Sequence, residues 1–245
     1  MSDTKIEWTE KTWNPITGCS KISDGCANCY AEIMTRRLCA MGVHKYRNGF
    51  SITTHEESLD EPFRWKSASD IFICSMSDVF HSGVPDSFIR RIMEVVHQTP
   101  RHHYQILTKR PERMSEFFEK SAVPSNVWLG VTVENRTAKR RIDLLRKIPA
   151  SVHFLSCEPL LEDLGMLDLS GIEWVIVGGE SGPRARPMKE EWVLSIQHNC
   201  NVQGTSFFFK QWGTWGSDGI KRAKHENGKL LKGKVVQDKP RSKVI

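Results

Sequence analysis

Cys19, Cys26 and Cys29 fall within eleven residues, with six residues between the first pair and two between the second. Thiolates are soft ligands that suit iron–sulfur clusters and zinc alike. Gly18 and Gly25 stand directly before two of them, where a loop wrapped round a metal group needs permissive backbone. Residues 30–38 contain no helix breaker, so the cysteine loop should feed straight into a helix. Three ligands leave a cubane [4Fe–4S] cluster with one iron open to a non-protein ligand, the arrangement that radical S-adenosylmethionine (SAM) chemistry uses. Zinc is the rival, because Cys39 would complete a four-thiolate set. Cys39 stands ten residues past Cys29, however, about 15 Å along a continuous helix, and is expected to stay apart from the other three.

A ligand loop needs a scaffold, and the chain supplies a rhythm of strands and helices. A first strand lies near residues 11–17, and 41–65 reads as an irregular insertion with a short strand near 50–53. Residues 71–76, 103–108, 127–133, 152–156, 174–177 and 205–210 are short, apolar, β-favouring runs. Between them, helices are signalled by Asp86 and the apolar spacing after it, by Pro111, by Asn135 as a cap, and by Pro187. About seven βα steps result. The expected fold is α/β, a complete (TIM-type) or partial (βα) barrel over residues 1–215, followed by an irregular basic extension over 216–245.

Polar residues gather at the strand ends. Ser75, Ser77 and Asp78 follow the second strand, Lys109 and Arg110 the third, and Thr132, Glu134 and Asn135 the fourth. Glu158 follows the fifth, Gly178, Gly179 and Glu180 the sixth, and Lys210 the seventh. In a βα barrel these ends form one rim. Acids, bases and glycines around a thiol loop read as an enzyme site. Cys157 falls on the same rim in a passive place, while Cys74 and Cys200 sit in apolar runs and read as core. Trp212 and Trp215 belong either to the core or against a base.

Bulk properties narrow the setting. The chain has 245 residues, 39% of them hydrophobic, and no run long enough to span a membrane. Seven cysteines without a regular framework suit a reducing cytoplasm and metal chemistry over disulfides. The net charge of +6 sits wholly in residues 218–245, where nine Lys and Arg face three Asp and Glu. A basic tail on a neutral body is compatible with a polyanionic partner.

Several stretches together carry a resemblance: Gly25-Cys-Ala-Asn-Cys-Tyr-Ala31, Ser75-Met-Ser-Asp78, Leu107-Thr-Lys-Arg-Pro111, Glu158-Pro-Leu-Leu161, Val177-Gly-Gly-Glu-Ser-Gly182 and Phe209-Lys-Gln-Trp-Gly213. With these the chain resembles a phage-associated family of uncharacterised proteins with a three-cysteine motif, itself similar to radical SAM iron–sulfur enzymes. The spacing of the cysteines departs from the three-then-two of most radical SAM proteins. The resemblance implies that Cys19, Cys26 and Cys29 hold a [4Fe–4S] cluster and that SAM binds its open iron. It places Ser75, Ser77 and Asp78 by the methionyl amino group, Glu134 and Asn135 toward the ribose, Tyr30 against adenine, and Thr132 among the cofactor-binding residues. Gly178, Gly179 and Glu180 would let backbone approach the adenosyl group or the substrate. Lys109, Glu158 and Lys210 are the expected catalytic residues. The expected substrate is a base in DNA or a nucleotide, in one version a modified pyrimidine rearranged by an isomerase and in another a damaged base repaired, in the bacterial host cytoplasm. A flavodoxin- or ferredoxin-type protein would be the electron donor. The rival functions are radical SAM chemistry on a small molecule or peptide, and a zinc-bound nucleic-acid-binding protein without catalysis.

Overall fold

The computed structural model of the protein describes residues 4–240. Seven parallel strands form its main sheet: β1 (Lys11–Trp13), β2 (Asp70–Ile73), β3 (His103–Thr108), β4 (Val127–Thr132), β5 (Val152–Cys157), β6 (Trp174–Gly178) and β7 (Ser206–Gln211). Their order in the sheet is their order in the chain, and β1 and β7 are its two unjoined edges. The fold is thus a partial barrel of seven steps, and the complete closure entertained from sequence is not present. Five helices of seven residues or more accompany the strands: α1 (Tyr30–Ala40), α2 (Asp86–Gln98), α3 (Pro111–Phe118), α4 (Arg140–Arg146) and α5 (Glu190–Gln203).

Apolar periodicity explains the helices' docking. In α2, Phe88, Ile89, Ile92, Met93 and Val96 recur on one stripe and are all buried. The β5–β6 connection has no helix. Leu160, Leu164, Leu167, Leu169 and Ile172 pack inward there instead. Asn199 and Gln203 of α5 hydrogen-bond the backbone at Leu167 and Leu169, satisfying groups that a helix would otherwise satisfy internally.

Three boundaries differ from expectation. The first strand is split, because Ile16–Thr17 leaves the main sheet to pair antiparallel with Thr53–Thr54. The second stops at Ile73, where Cys74 takes a φ of 61° that no strand tolerates. The last long helix begins at Glu190 and not at Pro187, since Lys189 is still extended.

Register sorts the concave face into layers. Phe72, Gln105, Trp128 and Val152 share one row, with Leu107, Gly130, Phe154 and Trp174 above it. Thr132, Ser156, Ile176 and Phe208 form the next row. Two residues further along, the same face presents Glu134, Glu158 and Lys210. Trp8 closes the floor, its ring 4.7 Å from that of Phe72 and edge-on to Trp174. The barrel is therefore aromatic at its base and polar at its mouth. Gly130 is required by this packing, since a Cβ there would lie 2.5 Å from the Phe154 ring.

The segment after Trp215 is pinned down. Val236 and Asp238 exchange backbone hydrogen bonds with Phe209 and Phe207, so the tail covers the free edge of β7. Lys229 then reaches Glu7 at 2.7 Å and Lys239 reaches Asp70 at 3.4 Å, strapping the tail across the gap toward the opposite edge. Lys232 pairs with Glu190. Residues 216–240 are thus an irregular extension packed onto the barrel; Arg241 and Lys243 lie outside the described residues.

Candidate functional site

The cysteine loop runs from the end of β1 to the start of α1 and lies over the polar mouth. Cys19, Cys26 and Cys29 are partly exposed free thiols. Cys29 caps α1, and Cys39, exposed near the far end of that helix, does not belong with the other three. Among the described residues no three His, Cys, Asp or Glu side chains converge on a single metal ion. A cubane spreads three thiolates over three irons, whereas zinc draws all its ligands to about 2.3 Å from one point. Three half-buried free thiols on one loop, flanked by cations, suit the former donor pattern.

Two cations bear on the sulfurs. Arg110 Nη1 donates to Cys19 Sγ at 3.7 Å. Burial pushes the Cys19 thiol up, and Arg110 only partly offsets it. Burial also acts upward on Cys26, but Lys109 and hydrogen bonds from the backbone at Ile22 and Ser23 outweigh it, leaving that thiol below its ordinary range.

The strand ends grip the loop. After β2, Ser77 Oγ donates to the Gly18 carbonyl at 2.6 Å, and Asp78 Oδ2 takes Arg110 Nη1 at 2.8 Å. Arg110 then donates through Nη2 to the Ser20 carbonyl. Asp78 also accepts from Thr108 Oγ1, Lys109 N and Phe80 N, so both its oxygens are occupied. After β4, Glu134 is fully buried against Arg141 at 2.7 Å and directly under Gly25. Burial acts upward on its carboxyl, but Ser23, Arg141 and Lys109 bring it below the usual carboxylate range. Asn135 caps the turn after β4 through Ala138 N and donates to Asp24 Oδ2 at 3.0 Å. After β6, Glu180 accepts from Arg186 and from Asn28 at 3.1 Å, while Arg186 donates to the Asp24 carbonyl.

Most of the polar groups expected at the cofactor are engaged within the protein. Asp78, Glu134 and Glu180 are buried with their carboxylates hydrogen-bonded inside the protein, and Asn135 is half-buried. They anchor the thiol loop, directly or through Arg110 and Arg186. Ser75 Oγ is taken by Asn14 Oδ1, and its carbonyl accepts the Tyr30 hydroxyl. Gly178 leaves room for the Glu158 carboxylate, and Gly179 lies so close to Trp212 that a Cβ would be 1.9 Å from its carbonyl oxygen. Both glycines are required by internal packing. Trp212 is buried core, bonded through Nε1 to the Leu230 carbonyl. Cys157 is likewise buried, among helix-facing residues, and not on the rim.

What remains open in the mouth is a smaller set. Lys109 Nζ makes no hydrogen bond or ion pair among the described residues, although it lies near Cys26 and Glu134. Thr132 Oγ1 and Gln211 Oε1 are buried without partners among the described residues, and such atoms cost stability unless a ligand or water satisfies them. Lys210 Nζ grips Glu158 with both oxygens at 2.7 and 2.8 Å. Tyr30 keeps half its surface open while its hydroxyl end is enclosed, and burial pushes that hydroxyl's pKa up. Sequence reasoning missed Arg141, Asn14 and Asn28. Arg141 sits beside inward-facing Ile142 in a basic helix and reads as solvated surface, and the two asparagines carry no motif.

The chain matches the model of the family described as "Protein of unknown function (DUF5131)" over residues 3–240. It belongs to that family. No curated protein matches. Among solved structures, spore photoproduct lyase complexed with dinucleoside spore photoproduct shares 12% identity, with 80% of this chain and 62% of that one covered at a TM-score of 0.48. A variant of that lyase with bound AdoMet and dinucleoside spore photoproduct shares 14%, covering 72% and 57% at 0.46. The chain thus spans less than two thirds of those proteins' length, and a likeness of this depth assigns no role to any residue here.

Proposed function

We propose that the protein is a radical SAM enzyme whose cluster is held by Cys19, Cys26 and Cys29. The observation that carries this reading is the placement of three free thiols on one loop, over a barrel mouth where the Lys109 ammonium and the Thr132 hydroxyl have no partner among the described residues. A cluster held by these three thiolates, with SAM bound, would supply radical abstraction of hydrogen from an unactivated carbon. The chain's own contribution is to hold and enclose. Lys109 offers an ammonium to an anionic group of SAM or substrate, and Thr132 a hydroxyl. The Tyr30 ring offers a stacking face at the rim. Glu158 and Lys210 form an ion pair within reach of a substrate's polar edge, where Lys210 is able to donate and Glu158 to accept a proton. The aromatic floor from Trp8 to Phe208 excludes water from below.

The substrate we favour is a nucleic-acid base, since Lys109 and exposed Arg184 are cations at the mouth free of ion pairs among the described residues. Rearrangement of a modified pyrimidine is one version of such chemistry. Radical chemistry on a small molecule is the second reading, favoured by the tail's spending Lys229, Lys232 and Lys239 on Glu7, Glu190 and Asp70. Anaerobic reconstitution tests the reading: about four irons per chain are expected, with 5′-deoxyadenosine formed from SAM under dithionite. Cys19→Ala, Cys26→Ala and Cys29→Ala should lose the iron and Cys39→Ala should keep it. Stoichiometric zinc and no iron would end it. Turnover assayed on DNA, nucleotides and free nucleosides separates the substrate classes.

A further inference from the structure

Helix α1 is built unlike the other helices. Only Ala31 and Thr35 of its eleven residues are buried. With Leu38 they form one stripe, packed toward Tyr46, Phe50 and Met76. A second stripe, Ile33, Met34, Arg37 and Met41, follows helical spacing along a neighbouring face and is open to solvent. A surface helix ordinarily turns charged residues outward, yet Met41 is 69% exposed and Ile33 43%. Ile22 on the cysteine loop and Val43 just past the helix are exposed as well. Of the twelve large hydrophobic residues exposed among those described, six lie between Ile22 and Val43. Residues 20–50 also carry five Lys and Arg against two Asp and Glu; Lys21 and Arg36 share Glu32 and Lys45 pairs with Glu61, while exposed Arg37 has no ion pair among the described residues.

An apolar centre with a cationic surround, beginning at the last cysteine of the loop, has the composition of a small transient interface for an acidic protein. We infer that the outer face of α1, with Ile22 and Val43, is the docking surface for an acidic one-electron carrier protein bearing a reduced flavin or iron–sulfur centre. This rests on the iron–sulfur reading of the cysteine loop. One electron leaves the carrier, which departs oxidised by one, and enters the group held by the loop, which becomes reduced by one. The barrel mouth on the loop's other side stays free for SAM and substrate. Arg37 and its basic neighbours steer the encounter and orient the carrier, while Ile33, Met34 and Met41 supply the desolvated contact.

The test uses the reconstituted full chain, its Ile33→Glu and Arg37→Glu variants, and a reduced flavodoxin with an acidic face as the probe, with dithionite in parallel. Neither residue contacts the cysteine thiols or the mouth, so iron content and melting temperature should match wild type. Flavodoxin binding, read by anisotropy, should weaken at least tenfold in each variant, and cluster bleaching by flavodoxin should slow at least tenfold. Bleaching by dithionite should be unchanged. Wild-type binding should also weaken as ionic strength rises. Variants that match wild type in flavodoxin binding and bleaching overturn the inference while leaving the iron–sulfur reading intact. Loss of a DNA duplex's binding in the same variants, or a wild-type dimer that they dissociate, overturns it in favour of another occupant. A wild-type chain that takes up no iron overturns the iron–sulfur reading and this inference together.

Discussion

At the residue scale, the mouth divides its ionic groups into those that hold and those that wait. Glu134 and Arg141 form a buried pair beneath the cysteine loop. Glu134→Gln leaves Arg141 as an uncompensated buried charge and should cost about 3–5 kcal/mol, measured by urea unfolding of the apoprotein. Lys109 has the opposite character, because its ammonium loses no partner on removal. Lys109→Met should keep or slightly raise the melting temperature and keep bound iron, while SAM or substrate affinity falls roughly tenfold or more, as expected for a hydrogen bond to a charged group. A melting temperature that drops with unchanged ligand affinity would remove Lys109 from the site. The polar residues at the strand ends were legible from strand–turn composition alone. Their division of labour was not, because it depends on Arg141, Arg186 and Asn28, whose side chains come in from elements that sequence pattern cannot orient.

At the element scale, the cysteine loop has little secondary structure and depends on its anchors. Burial acts upward on the Glu180 carboxyl, but Arg186 and Asn28 bring it below the ordinary range, as Ser23 and Arg141 do for Glu134. Both carboxyl groups therefore bind protons more weakly in the folded state. Their stabilisation is complete above the unfolded value of about 4.3 and is lost as pH falls through the lower folded value. Limited proteolysis of the apoprotein should find the loop protected near neutrality and cut readily in acid, with Glu180→Gln cut already at neutral pH. Equal protection of variant and wild type at neutral pH would argue that Glu180 does not hold the loop. The strands and α2 were readable because their apolar spacing is set locally. Cys74's positive φ, which ends β2 three residues early, was hidden, since only the turn toward Ser77 and Asp78 demands it.

At the scale of the whole molecule, an open sheet leaves two unpaired edges, and the tail answers for one of them. Truncation after Trp215 removes the backbone pairing to β7, the Asp238 carbonyl that accepts Trp174 Nε1, and buried Leu231. Such a chain should melt several degrees lower and aggregate through the exposed edge; thermal unfolding with light scattering checks this. A truncated chain that melts like the full one would make the strap dispensable. The tail's excess of lysine was visible as charge and suggested a docking arm. Its actual partners, Glu7, Glu190 and Asp70, are distant in sequence, so only the folded chain brings them together.

The strap has one more outcome. Glu7 lies just ahead of β1 and Lys239 rests on the first residue of β2, so the described chain both enters and leaves beneath the aromatic floor. A fluorescent reporter or affinity handle spliced at either of these points would therefore hang from the foot of the barrel, and the rim above would remain clear for immobilised assays and labelling.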